Sequence, residues 1–90
     1  MPRYVIERDI PGAGQLSPAE LRSISKQSVG IVKEVGGGLT WLHTYVADDK
    51  MYCVYYAPDE SLIVAHARLT GLPVDRVAAV RRLLDPSNYQ

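Results

Sequence analysis

Four side chains of this protein are candidate ligands for a transition-metal ion. They are the two histidines, His43 and His66, the single cysteine, Cys53, and a carboxylate near the N-terminus, Glu7. Imidazole with oxygen ligands suits octahedral divalent ions, whereas thiolate with imidazole suits softer ions. No C-x-x-C or H-x-x-x-H spacing is present, so the fold must bring any ligands together.

Each of these residues also has a structural interpretation. His66 can be a neutral, hydrogen-bonded core histidine, and Cys53 can be a small buried hydrophobe, since one cysteine forms no intrachain disulfide. His43 lies among aromatic residues and can belong to an interface. Glu7 can form a charge network with Arg8 and Asp9 instead of binding metal.

One predicted hairpin, residues 41–56, carries both His43 and Cys53. Its sequence, WLHTYVADDKMYCVYY, predicts two strands around a two-residue turn at Asp48 and Asp49. That turn pairs Tyr45 with Tyr52, His43 with Val54 and Trp41 with Tyr56 on one face, and Thr44 with Cys53, Leu42 with Tyr55 and Val46 with Met51 on the other. His43 and Cys53 therefore point to opposite faces and should not share an ion within one chain. Glu7 could join His43, and His66 could approach Cys53.

A strand and a helix are predicted before the hairpin. RYVIERDI, residues 3–10, alternates Tyr4, Ile6 and Arg8 with three residues of the other face. SPAEL carries a helix start, with Ser17 as the N-cap, proline at the first position and glutamate three residues after the cap. The glycines at 36–38 end this helix.

A second helix and a final strand are predicted after the hairpin. Asp59 is the expected N-cap, and Gly71 ends the helix. Its expected inner stripe consists of Leu62, Ala65, His66 and Leu69. VAAVRRLLD, residues 77–85, is the predicted last strand, although its composition also suits a helix.

The order strand, helix, strand, strand, helix, strand predicts one domain over residues 1–90, with a frayed tail at 86–90. We expect a ferredoxin-like α+β sandwich, in which an antiparallel four-stranded sheet has both helices on one face. The other sheet face is then left open. Because the hairpin is largely apolar on both faces, we expect a second copy to cover the open face in a homodimer.

Composition argues against two classes of partner. Ten basic and ten acidic residues give zero formal net charge, without the basic stripe that nucleic-acid binding requires. No segment reaches the roughly 18 apolar residues that span a bilayer, and the N-terminus does not have the pattern of a signal peptide. We therefore expect a cytoplasmic protein that binds neither nucleic acid nor membranes.

Five segments together resemble a small actinobacterial family that includes a nickel-responsive, nickel-binding protein. They are RYVIERDIPGAG, SPAEL, WLHTYVADDKMYCVYYAPDE, HARLTGLPVDRV and LLDPS, which span nearly the whole chain. The resemblance implies a dimeric ferredoxin-like protein that binds Ni²⁺ in sequestration or homeostasis rather than catalysis. It implies ligands among His43, Cys53 and His66, with Glu7 as an addition. Co²⁺ and Zn²⁺ are expected competitors.

Two other functions remain open. Small dimeric ferredoxin-like proteins include cofactor-free monooxygenases and isomerases that use a histidine in a cavity between the sheet and the helices. Such an enzyme needs a cavity that admits its substrate, with a histidine or tyrosine placed for proton transfer. The third alternative is a purely structural dimerisation module.

Overall fold

The predicted ferredoxin-like α+β fold is confirmed. The computed structural model describes residues 2–87. Its main elements are β1 (Arg3–Asp9), α1 (Pro18–Val35), β2 (Thr40–Val46), β3 (Lys50–Tyr56), α2 (Glu60–Thr70) and β4 (Arg76–Val80). The strands form one sheet in the order β2-β3-β1-β4, and every neighbouring pair is antiparallel. The helices pack against one face of this sheet and leave the other face, here called the open face, uncovered by them.

Strand β1 shows the predicted alternation. Tyr4, Ile6 and Arg8 are all buried, whereas the residues between them are only partly buried. Because successive side chains of a strand point to opposite sides, these three residues share the face that the helices cover. The alternation therefore places the charged side chain of Arg8 in the core, on the same face as Tyr4 and Ile6.

Helix α1 begins at the predicted capping box. The Ser17 hydroxyl accepts a hydrogen bond from the Glu20 backbone N–H at 3.1 Å, and the Glu20 carboxylate accepts one from the Ser17 N–H at 3.0 Å. The hydrogen bond from the Ser17 backbone, followed by one from the Ser17 side chain, lowers the pKa of the Glu20 carboxyl. The helix ends before Gly36, whose φ of 63° is one that most other residues avoid.

The hairpin has the predicted turn, but its register changes before His43. Tyr45 and His43 face their predicted partners on β3. A bulge at Leu42 then adds one residue to β2, so that Trp41 lies opposite Tyr55. Because one extra residue reverses the alternation of side chains, the expected place of Trp41 on the open face is wrong, as is the pairing of Leu42 with Tyr55.

Helix α2 begins after the predicted cap, since the Asp59 carboxylate accepts a hydrogen bond from the Ser61 N–H at 2.8 Å. Its buried residues are Ile63, His66 and Ala67. The predicted stripe is therefore right at His66 and wrong at Leu69, which is 51% exposed. The buried face of the helix is centred on Ile63, His66 and Ala67 rather than on the predicted stripe, so that Leu69 near its end faces solvent.

The chain after β4 differs from the prediction. The last strand ends at Val80, and Leu83 and Leu84 lie beyond it with 59% and 78% of their surfaces exposed. Further along, the Asp85 carboxylate accepts a hydrogen bond from the Ser87 N–H at 2.9 Å. The remainder of the predicted frayed tail, residues 88–90, lies outside the described residues. None of the helices in the described part of the chain is long and apolar enough to cross a membrane.

Candidate functional site

A cavity of about 190 Å³ lies between the sheet and the two helices. Residues of β1, β2, β3, α1 and α2 all contribute to its wall. The polar part of the wall includes Arg8, Ser28, Cys53, Tyr55 and His66, and the apolar part includes Leu21, Ile24, Trp41 and Met51. The cavity therefore combines titratable groups with an apolar surface inside the domain.

His66 is placed in this wall by the inner side of α2 and is only 1% exposed. Its Nε2 lies 3.3 Å from the hydroxyl of Ser28 on α1, while its buried Nδ1 has no partner among the described residues. Its ring also packs against that of Tyr55, with 5.0 Å between centroids. Burial, and then the charge of Arg8, lower the pKa of His66. The imidazole is therefore neutral at neutral pH.

Arg8 brings a positive charge to the same wall. It is 1% exposed, and its Nη1 donates a hydrogen bond to the Pro73 carbonyl at 3.1 Å. Its Nε is buried without a partner, and it forms no ion pair with any residue of 2–87. The predicted charge network is therefore wrong for Arg8, because neighbouring residues of a strand point to opposite faces. Glu7 and Asp9 do share a network, since Lys50 Nζ lies 3.3 Å from a carboxylate oxygen of each.

Cys53 and Tyr55 enter the wall from β3. The Cys53 thiol is free and 6% exposed, and Tyr55 is 2% exposed. Burial, followed by the nearby Cys53, raises the pKa of Tyr55, so the phenol keeps its proton at neutral pH. The structure thus brings Cys53 and His66 to one cavity, as the sequence predicts.

The other predicted pair, His43 and Glu7, does not come together. His43 is exposed on β2, with its ring edge-on to Tyr45 at 5.0 Å between centroids. Glu7 lies on β1, and β3 runs between the two strands, so the backbones are about 10 Å apart. The Glu7 carboxylate instead accepts a hydrogen bond from Lys50 Nζ at 3.3 Å. That hydrogen bond is the main cause of the raised pKa of Lys50.

No ready-made metal site is present in the described part of the chain. Across residues 2–87, no three His, Cys, Asp or Glu side chains are grouped so that they could hold an ion. In addition, the buried charge of Arg8 repels a cation from the cavity that contains Cys53 and His66. His43 has no such buried charge beside it, but one chain supplies it with too few ligands.

The sequence analysis did not identify several residues of the cavity wall as site residues, among them Arg8, Ser28 and Trp41. Arg8 was detectable, because its alternation with Tyr4 and Ile6 assigns it to the buried face. Ser28 lies at helical spacing between Ile24 and Ile31, which assigns it to the core-facing side of α1, and its hydroxyl is the one that contacts His66. The position of Trp41 could not be predicted, because no sequence feature indicates the bulge that turns this side chain inward.

The fold and the cavity define the general class of this protein: a small ferredoxin-like α+β domain with a partly polar cavity between its sheet and helices. A family model described as nickel responsive protein SCO4226-like matches residues 4–80, and the chain belongs to this family.

A solved structure has the same fold. The crystal structure of SCO4226 from Streptomyces coelicolor A3(2) superposes with a TM-score of 0.75 at 12% sequence identity. The match covers 91% of this chain and 99% of the other. No curated protein matches the chain by sequence.

Proposed function

We propose that this protein binds Ni²⁺ on its open face, with His43 as a ligand, and serves in nickel sequestration or homeostasis. Membership of a nickel-responsive family is the observation that carries the proposal. Imidazole nitrogen is a favourable ligand for nickel. Of the two histidines, His43 is the exposed one, and an ion reaches it without entering the core.

Cys53 and His66 are the competing ligand pair. They share the cavity wall, and thiolate with imidazole is a sound donor set for a borderline ion. Binding there requires Cys53 to lose its proton and places a divalent ion near the buried guanidinium of Arg8. Both requirements favour the site at His43.

The His43 site is completed by a second copy of the chain. A two-fold axis through the open face brings together two copies of His43, and water or carboxylates such as Glu7 fill the remaining positions. The zero formal net charge of the chain causes no overall repulsion between copies. Tyr45, which is 62% exposed on this face, gains burial in such a homodimer. Glu7 joins the ion only after its bond to Lys50 is released.

Calorimetric titration of demetallated protein with Ni²⁺ tests the proposal. We expect saturable binding by the wild type and loss of a class of sites in His43→Ala, while His66→Gln retains that class. Affinity should fall as the pH is lowered, because protons compete with the metal ion for imidazole nitrogen. Co²⁺ and Zn²⁺ should compete. Identical nickel isotherms for the wild type and His43→Ala would contradict the assignment, and loss in His66→Gln alone would move the site to the cavity.

A cofactor-free enzyme is the second candidate function, and the cavity is the observation in its favour. His66 and Tyr55 are in ring contact within it, so a neutral imidazole and a protonated phenol face the same space. These groups can accept and donate a proton, respectively. The nickel proposal takes precedence because the family description concerns nickel.

A further inference from the structure

The cavity contains an unusual combination of a buried cation and an apolar wall. Among the described residues that line it, Arg8 carries the only formal charge. Leu21, Ile24, Trp41 and Met51 supply apolar surface. A cavity without a binding role would not require a charged side chain in its wall, because a charge is costly to remove from water.

Arg8 has unused capacity to bind an anion. One of its nitrogens bonds to the Pro73 carbonyl, but its buried Nε has no partner and no described carboxylate pairs with it. A guanidinium presents its donors in a planar fork that matches a carboxylate. A buried ion normally requires a paired charge. A bound anion would supply that charge.

His66 provides a second unused polar atom in the same wall. Its Nε2 is near Ser28, which leaves the buried Nδ1 without a partner in the described chain. Since the lowered pKa keeps the ring neutral, the imidazole can offer one N–H without adding a second charge. Two side chains that are each 1% exposed thus have unsatisfied atoms at one cavity.

We propose that this cavity binds a small organic monocarboxylate, whose carboxylate is held by Arg8 and His66 and whose apolar part contacts Trp41, Ile24 and their neighbours. The site is separate from His43, and the proposal does not depend on nickel binding. It also requires no chemical reaction.

Charge and size select this class of ligand. With a neutral His66, the wall carries one positive charge, which matches one carboxylate and not a phosphate dianion. A strongly hydrated inorganic ion would lose its bound water in the cavity, and the apolar wall could not replace those interactions. The volume of about 190 Å³ holds about six waters at roughly 30 Å³ each. It therefore admits a small acid.

The test compares small acids with their neutral amides. Butyrate and benzoate are titrated into the purified full chain by calorimetry, with butyramide and benzamide as matched controls. We expect saturable binding of at least one acid and binding at least about tenfold weaker for its amide, which cannot pair with the guanidinium. Absence of acid binding at millimolar concentration, or equal binding of acid and amide, would overturn the proposal.

Three variants locate the binding. Arg8→Met should weaken acid binding by at least about tenfold, while Arg22→Met, a change of an exposed arginine on α1, should leave it unchanged. Ile24→Phe should reduce acid binding by filling the cavity. This variant tests the location of binding if circular dichroism shows that Arg8→Met does not fold. Unchanged acid binding in folded Arg8→Met or in Ile24→Phe would refute the location. His43→Ala should retain acid binding whether or not nickel binding is lost.

Discussion

Replacing Arg8 by methionine should stabilise the protein in the absence of ligand. The guanidinium is 1% exposed, has one hydrogen bond to Pro73 and has an unpartnered Nε. Methionine keeps most of the aliphatic stem and removes the buried charge. In the unfolded chain, the side chain at position 8 is exposed to water in both variants. Removal of the buried charge therefore changes the free energy of unfolding.

The expected size follows from two opposing contributions. Loss of the hydrogen bond to the Pro73 carbonyl costs about 1.5–3 kcal/mol. Removal of an uncompensated buried ion relieves a penalty of several kcal/mol, less whatever water in the cavity already recovers. We expect a net stabilisation of about 1 kcal/mol, which raises Tm by about 4–8 °C in a domain of this size.

Thermal unfolding followed by circular dichroism measures this shift. Arg22→Met is the control for loss of a surface charge and should change stability by less than about 0.5 kcal/mol. Arg8→Ala should lower Tm, because it removes the packed stem together with the charge. A clear fall in Tm for Arg8→Met, with the Arg22 variant unchanged, would show that the cation is compensated in the free protein and would refute the reasoning.

Three further predictions concern other parts of the molecule. Tyr45→Asp should convert the proposed homodimer to a folded monomer in sedimentation velocity, while Val64→Asp on α2 should not; a monomeric wild type at micromolar concentration would contradict the dimer. Because burial lowers the pKa of His66 in the folded protein, the unfolded chain binds more protons than the folded one below about pH 6.5. Stability should therefore be lost as the pH falls below this value. His66→Gln should reduce this loss in unfolding curves between about pH 5 and pH 8, and parallel curves would exclude His66 as its source. Ser17→Ala should remove the capping box of α1 and cost about 1 kcal/mol, which lowers Tm by about 4–8 °C, whereas Ser23→Ala at an exposed position of the same helix should have little effect.

Local sequence rules predicted most of the fold. The capping box at Ser17, the cap at Asp59 and the aspartate turn depend on short-range hydrogen bonds, and these are found where the sequence places them. The end of β4 could not be predicted, because Leu83 and Leu84 have strand-compatible hydrophobicity but no neighbouring strand pairs with them. Pairing between distant segments, rather than local preference, decides where that strand stops.

The candidate site was less predictable than the fold. Placing Cys53 and His66 together required only the faces of one strand and one helix, and that prediction is confirmed by their shared cavity. The separation of His43 from Glu7 depends on the sheet order, which puts β3 between their strands. Whether Arg8 has a counterion depends on the side chains of every element packed against it. The alternation in β1 therefore predicts that Arg8 is buried but does not predict that it lacks a counterion.

The bulge at Leu42 gives the cavity an optical reporter. By turning Trp41 inward it places the only tryptophan of the chain in the cavity wall, where its indole N–H donates a hydrogen bond to the Thr44 hydroxyl at 3.0 Å. Indole emission responds to local polarity and to contact quenchers, whereas a tryptophan on the open face would respond to association between copies. The tryptophan fluorescence of the unlabelled protein therefore follows what enters the interior rather than association at the open face.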